Sequence, residues 1–415
     1  VKSMIARTLS VISGMVLASM LAACGGASIG AGGSTGGGTI PSSGSNVQAI
    51  SVNLGPNSNL GPEYYYQNGV FTSVEVCTPG TTICQTIDNI LVDTGSYGLR
   101  LLGSAVNISL PTQTNAGANP IGECTVFADG YVWGPVAAAD VLIADETASS
   151  VPIQLISADD NSFPPAPSSC SEGAGQNENT LATLDANGIL GIGVLEQDCG
   201  AECSTEVNND FYYQCSSSTQ CIPTTEPLSA QVTNPVTLFA SDNNGVEIQL
   251  PEIASGGAAT ATGAIIFGIG TRSNNALGSA TALKPIDDAG DISVMYNGAS
   301  SDGFIDSGSN ALYFSANFPT CSQAEYSDFY CPTSTQNESV QVSGPSNQPS
   351  VTVMFSVANA ATLFGSGNAA LDDLAGTSVE GDYFDFGLPF FYGRNVFFAI
   401  ENKSTPAGVG PYYAF

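Results

Sequence analysis

Strand-like alternation runs through this chain, and helical periodicity is nearly absent. Tyr64-Tyr65-Tyr66, an Asn68-Gly69 turn and Val70-Phe71-Thr72-Ser73-Val74-Glu75-Val76 alternate as the arms of a β-hairpin do, since residues two apart share one face of a strand. A Thr78-Pro79-Gly80 turn follows, bracketed by Cys77 and Cys84, and leads into the apolar run Ile90-Leu91-Val92. Further on, β-branched runs such as Val141-Leu142-Ile143 and Ile265-Ile266-Phe267 alternate with clusters of Gly, Pro, Asn and Ser. The best helical candidate is short, Asn359 to Phe364 with its alanines. The 23 prolines and 47 glycines fit many turns, and 43% apolar content supplies a core. The pattern predicts an all-β fold.

The N-terminal region reads differently. Lys2 and Arg7 make a short positive start, and an apolar run from Val11 to Met20 is interrupted by Ser13, Gly14 and Ser19. The run is too short and broken to span a bilayer, and it ends in small residues as a cleavage site does. Its ending, Leu21-Ala22-Ala23-Cys24, resembles a bacterial lipobox. That resemblance implies a signal peptide over 1–24 and a diacylated Cys24, which would tether the chain in a bacterial cell envelope. Gly25 is not the residue that retains lipoproteins at the inner membrane, so the outer membrane is the expected site. Residues 25–48 are rich in Gly, Ser and Thr and read as a flexible tether reaching roughly 25–30 Å. About 365 residues then remain, enough for two lobes.

Composition narrows the chemistry. The chain has no histidine, which removes Ser-His-Asp and Cys-His catalysis and nearly all zinc sites. Seven basic residues stand against 37 acidic ones, a balance that repels nucleic acid and anionic headgroups. Neither is expected as a partner, and membrane contact is expected only through the lipid. The acidity fits solubility and tolerance of low pH. Of the 11 cysteines, setting Cys24 aside leaves an even number for an oxidising compartment. Close spacing suggests Cys77 with Cys84 and Cys321 with Cys331, and elimination suggests Cys124 with Cys170. Cys199, Cys203, Cys215 and Cys221 form a cluster whose connectivity stays open; without histidine, bridges suit it better than metal.

Two acidic turns carry the candidate chemistry: Asp93-Thr94-Gly95-Ser96 and Asp306-Ser307-Gly308-Ser309. Each follows an apolar run (Ile90-Leu91-Val92, Phe304-Ile305) and precedes another (Leu99 to Leu102, Leu312 to Phe314). Each also has a later glycine-centred partner at similar spacing, Gly188 to Gly193 and Phe384 to Phe391. This arrangement resembles the paired active-site turns of the pepsin-like aspartic peptidases, over most of residues 62–415. It is also similar to a bacterial lipoprotein branch of that clan, a domain of unknown function. The resemblance implies a bilobed, disulfide-bonded double β-barrel with pseudo-twofold lobes, and a monomer. The N-terminal lobe would span 49–272 and carry Asp93; the C-terminal lobe would span 273–415 and carry Asp306. Asp93 and Asp306 would share a proton and activate a water, with no metal and no cofactor. Gly95 and Gly308 would bring backbone close to the carboxylates. Thr94 and Ser307 would bond across to the opposite turn, and Ser96 and Ser309 to the outer carboxylate oxygens. Gly263 to Gly268 would close the N-terminal lobe, Phe390 to Ile400 would form the last long strand, and Val409-Gly410-Pro411 would belong to the closing segment.

Three features depart from that pattern. The family's flap carries a Tyr near its tip, whereas Cys124 to Gly134 places Phe127 there, followed by Ala128 and an Asp129-Gly130 turn. Tyr131 or Trp133 would substitute if the hairpin were shifted, although Trp133 reads best as a packed strand residue. Arg100 stands where an aromatic is usual; it reads as a specificity element or a solvated strand end, the latter fitting better. Residues 25–48 contain no Lys or Arg, unlike the basic pro-segments of pepsin-like zymogens. The reading that follows is an aspartic endopeptidase acting on extended polypeptide. Its alternative is a non-catalytic lipoprotein that grips a peptide or protein in the same cleft.

Overall fold

The computed structural model describes residues 40–158, 163–217, 220–378 and 383–415. The expected signal segment 1–24 with Cys24, and residues 25–39 of the expected tether, lie outside them. The fold is all-β and bilobed, with short helices only at connections among the described residues. Strand formation follows the alternation: along Gly69–Cys77, Val70, Val74 and Val76 all point into the core. Ala360–Phe364 is helical, capped by the Asn359 side chain accepting from the Thr362 amide.

Each lobe contains the same crossed motif. In the first, Cys84–Asp93 lies parallel to Gly188–Ile192, with Asp93 opposite Gly191. Gly188–Ile192 then runs antiparallel to Tyr97–Leu102, so the glycine segment is threaded between the two arms of the Asp93 turn. In the second, Ala299–Ile305 lies parallel to Phe384–Phe386, which runs antiparallel to Leu312–Tyr313. The lobes are joined by a shared sheet. Gly245–Gln249 pairs with Ala261–Phe267 on one side and with Asn395–Ala399 on the other. One apolar core runs through both lobes and includes Val92, Leu190, Ile265, Ile305, Phe386 and Phe398.

Several elements differ from the sequence reading. Tyr64–Tyr66 is not a hairpin arm: Gly69–Cys77 pairs instead with Val47–Asn53 and with Cys84–Asp93. The intervening segment turns at Asn68, which takes a left-handed φ of 57°. Its side chain donates to the carbonyls of Asn310 and Leu371, both at 2.8 Å, and accepts from the Tyr392 hydroxyl at 2.7 Å. A tertiary bridge to the other lobe thus overrides the local alternation. The last long strand is only Asn395–Ala399, because Leu388–Phe391 is a 3-10 turn begun by Pro389 and Gly393 takes a φ of 72°. Ala261–Phe267 lies inside the shared sheet, flanked by Val47–Asn53 and Gly245–Gln249.

The disulfides are Cys77–Cys84, Cys124–Cys170, Cys199–Cys203, Cys215–Cys221 and Cys321–Cys331, so the open cluster resolves into two local bridges. No helix among the described residues is long and apolar enough to cross a membrane.

Arg100 is the clearest correction. It is not solvated but fully buried at 0% exposure. Its Nη2 donates to Glu123 at 2.5 Å and Asp198 at 3.0 Å, its Nε to the Thr125 hydroxyl at 3.1 Å, and its Nη1 to the Tyr97 carbonyl at 2.7 Å. Glu123 and Thr125 belong to the hairpin strand Ile121–Val126, so the guanidinium ties that hairpin to the strand after the Asp93 turn. Removing it would leave two carboxylates buried without a cation. We expect Arg100→Met to cost about 3–5 kcal/mol in chemical denaturation. A loss below about 1 kcal/mol would show that the ion cluster is not the clamp drawn here.

Candidate active site

Both acidic turns sit at the ends of buried strands, and Asp93 and Asp306 are each 0% exposed. Within its own turn each carboxylate is held the same way. The Gly95 amide donates to Asp93 Oδ1 at 2.7 Å and the Ser96 hydroxyl to Oδ2 at 2.9 Å. The Gly308 amide donates to Asp306 Oδ1 at 2.7 Å and the Ser309 hydroxyl to Oδ2 at 2.9 Å. Between the turns the bonds are reciprocal. The Thr94 amide donates to Ser307 Oγ at 3.2 Å, and the Ser307 amide to Thr94 Oγ1 at 2.9 Å. The Thr94 hydroxyl donates to the Ile305 carbonyl at 3.2 Å, and the Ser307 hydroxyl to the Val92 carbonyl at 2.8 Å. Thr94 Oγ1 and Ser307 Oγ thus each accept one bond and donate another, which fixes their rotamers.

The glycines are required by the other lobe as much as by their own turn. A Cβ on Gly95 would lie 2.7 Å from Asp306 Cγ, and one on Gly308 would lie 2.8 Å from Asp93 Cγ. Each carboxyl group therefore has the opposite glycine against it, and any side chain there would push the pair apart.

Burial, then the negative charge of Asp306, then a hydrogen bond from the same residue push the Asp93 carboxyl well above the usual carboxylate range; Ser96 and Gly95 oppose them. Two carboxyl groups this close cannot both ionise cheaply, so the pair retains one proton over a wide pH range and titrates as a unit. A charged carboxylate beside a neutral one is the arrangement needed to take a proton from a water and give one to a leaving nitrogen.

The hairpin over the site is Ile121–Val126 with the start of Gly130–Ile143, with Cys124 opposite Trp133 and Val126 opposite Tyr131. The Phe127 amide donates to the Gly130 carbonyl at 2.7 Å and closes its tip. Phe127 is buried against Tyr66, Leu102, Leu184 and Ile189. Trp133 packs on Tyr213 and Phe163 and donates to the Pro164 carbonyl at 2.7 Å. Both edges of the hairpin are occupied, one by Tyr212–Ser217 and the other by Gln176–Asn177, and Cys124–Cys170 adds a covalent tie.

Two site residues escaped the sequence reading, Tyr66 and Glu178, and both lie near the expected flap residue Asp129. The Tyr66 hydroxyl donates to the Gly308 carbonyl at 3.3 Å, which brings a phenol to the Asp306 turn from a segment that reads as a strand. Asp129 lies at the hairpin tip close enough to act on Tyr66 and Glu178. Glu178, 3% exposed, is pushed up to about 7 by burial first and Asp129 second. Its neighbours Gln176, Asn177 and Asn179 read as an ordinary polar loop, so nothing in the sequence singled it out.

The family described as "Protein of unknown function (DUF3443)" matches residues 42–415. The chain belongs to that family. No curated protein matches the sequence. Among solved structures, an aspartic proteinase from Irpex lacteus is similar, with a TM-score of 0.50, 14% sequence identity, and coverage of 89% of this chain and 96% of that one. At that identity the likeness shows the fold alone, and this family member therefore has a pepsin-like scaffold.

Buried carboxyls, at the site and elsewhere, also set how stability depends on pH. Burial is the leading cause that raises Asp93 and Asp198, and that pushes Glu178, Glu226 and Glu247 up to about 7 and Asp372 up to about 6. Each folded value lies above its unfolded one, so the folded state holds more protons between about pH 4 and pH 7. Stability from these groups is full below the unfolded values and is lost as pH rises through the folded ones. We expect thermal unfolding about 5 °C higher at pH 5 than at pH 7.5, and Asp93→Asn to raise the pH 7.5 value by removing a buried charge. A midpoint that climbs with pH would contradict the burial of these carboxyls.

Proposed function

We propose that this protein is an aspartic endopeptidase that hydrolyses peptide bonds of extended polypeptide with a water activated by Asp93 and Asp306. The observation that carries this reading is the symmetric dyad. Both carboxyls are present, each with an amide and a hydroxyl donor, and the turns are locked by reciprocal bonds between Thr94 and Ser307. In this reading one carboxyl of the pair enters protonated and polarises the scissile carbonyl, while its ionised partner takes the proton of the attacking water. The proposal includes export, lipid attachment at Cys24, and residence as a monomer in the bacterial cell envelope, at the outer membrane. The five disulfides support an oxidising location.

One observation favours a second reading, a peptide-binding lipoprotein without catalysis. The hairpin carries Phe127 where pepsin-like peptidases carry a Tyr and is tied at both edges, so it is less free to open and close over a substrate. Proteolysis separates the two. The full chain, purified with its disulfides intact, is incubated with a denatured protein from about pH 3 to about pH 7, beside Asp306→Asn. Cleavage that the variant lowers by about a thousandfold or more supports the dyad. Well-folded protein that cleaves nothing at any of these pH values would transfer the assignment to the binding reading.

A further inference from the structure

The chain has seven basic side chains and 37 acidic ones, so the placement of each cation is informative. Arg100 faces Glu123 and Asp198, Arg272 faces Glu146 and Asp242, Lys403 faces Glu196, and Lys284 is exposed to solvent without an ion pair among the described residues. Arg394 is half-buried and, among the described residues, has no carboxylate within ion-pair distance. Its Nη1 donates to the Phe390 carbonyl at 2.5 Å and its Nη2 to the Met354 carbonyl at 3.1 Å, while the group lies 4.8 Å from the Phe390 ring centroid. Two carbonyls and a ring orient the guanidinium without neutralising it, and they leave further donors of the fork for a ligand.

This guanidinium lines a half-open cavity of about 340 Å³ formed by residues of the C-terminal lobe together with Glu252 and Ile253. Its floor is apolar and buried, with Phe386 and Phe390 in it, and Met354 stands exposed at its mouth. Asp372 and Glu252 supply negative charge on the same lining, neither of them paired with Arg394. Asp372 Oδ1 is buried and has no hydrogen-bond partner. The cavity thus combines a cation without an anion, a carboxylate oxygen without a donor, and an aromatic floor. No residue of the acidic turns lines it.

We propose that this cavity binds an apolar zwitterion, an aromatic amino acid or short peptide with free termini. The ligand carboxylate meets Arg394, its ammonium group meets Asp372 and Glu252, and its side chain lies on Phe386 and Phe390. A simple anion is disfavoured by the net charge of −30, and a simple cation by Arg394 itself. The volume is at the lower end of small-molecule sites, about 300–1,000 Å³, and suits a ligand of that size. The floor adjoins the Asp306 turn from behind: the Asp306 amide donates to the Phe386 carbonyl at 3.1 Å.

The test is calorimetric titration of the full chain with the dipeptide leucyl-phenylalanine, its C-terminal amide and its N-acetyl derivative. Saturable binding is expected, weakened about tenfold or more by each blocked terminus. Arg394→Gln should abolish it. Because that change removes two internal bonds, Ser356→Trp, which fills the cavity from its rim, is the second variant and should abolish binding with an unchanged unfolding midpoint. Asp306→Asn should bind as the parent does, so failure of the peptidase reading leaves this one standing. No saturable heat up to about 10 mM dipeptide, or binding indifferent to Ser356→Trp, overturns the proposal.

Discussion

Thr94 and Ser307 each take an amide hydrogen from the opposite turn and give a hydroxyl hydrogen to a carbonyl of the opposite lobe. These four bonds are made only when both lobes are docked. The carboxylates they position are therefore a property of the assembled molecule and of neither half alone. The shared sheet that joins Gly245–Gln249 to Asn395–Ala399 holds the lobes at the separation the bonds require. The threaded segments at Gly191 and Phe386 support each turn from its own side. A dyad built this way is stiff, which is what matters when proton positions must be set to within a few tenths of an ångström.

That assembly has an electrostatic cost. Facing carboxyls are buried inside a chain of net charge −30 with few cations to spare. The fold manages this in two ways. It spends Arg100 at the base of the hairpin, where Glu123 and Asp198 converge. Elsewhere it leaves carboxyls such as Glu178, Glu226 and Glu247 raised by burial, so that protonation relieves them at mildly acidic pH. An acidic composition and a proton-sharing centre thus favour the same conditions, since lowering the pH reduces both self-repulsion and desolvation cost.

The hairpin departs furthest from an open lid. Strands on both edges, the Cys124–Cys170 bridge and the Arg100 cluster all restrain it. Phe127 contributes apolar surface only, while the Tyr66 hydroxyl beside it reaches the Asp306 turn. The polar contact near the dyad is supplied by a segment about sixty residues earlier in the chain than the hairpin tip, by the ordinary logic that a buried hydroxyl finds whichever carbonyl is in reach.

The sequence by itself determined the strand-rich class, the two acidic turns, their glycine partners and the cysteine pairs Cys77–Cys84 and Cys321–Cys331. Those features are written in local alternation, tight spacing and residues that few other conformations tolerate. Tertiary structure decided the rest. Arg100 reads as a solvated strand end because sequence shows its neighbours in the chain and not Glu123 and Asp198, which reach it only after folding. Tyr64–Tyr66 reads as a strand because alternation is counted locally, yet Asn68 turns the chain to bond Asn310 and Leu371 in the other lobe. Glu178 and Arg394 carry no sequence signature at all, since one is set apart by burial with an unbonded carboxylate oxygen and the other by a half-buried guanidinium without a carboxylate beside it, and both are defined only once distant segments have packed.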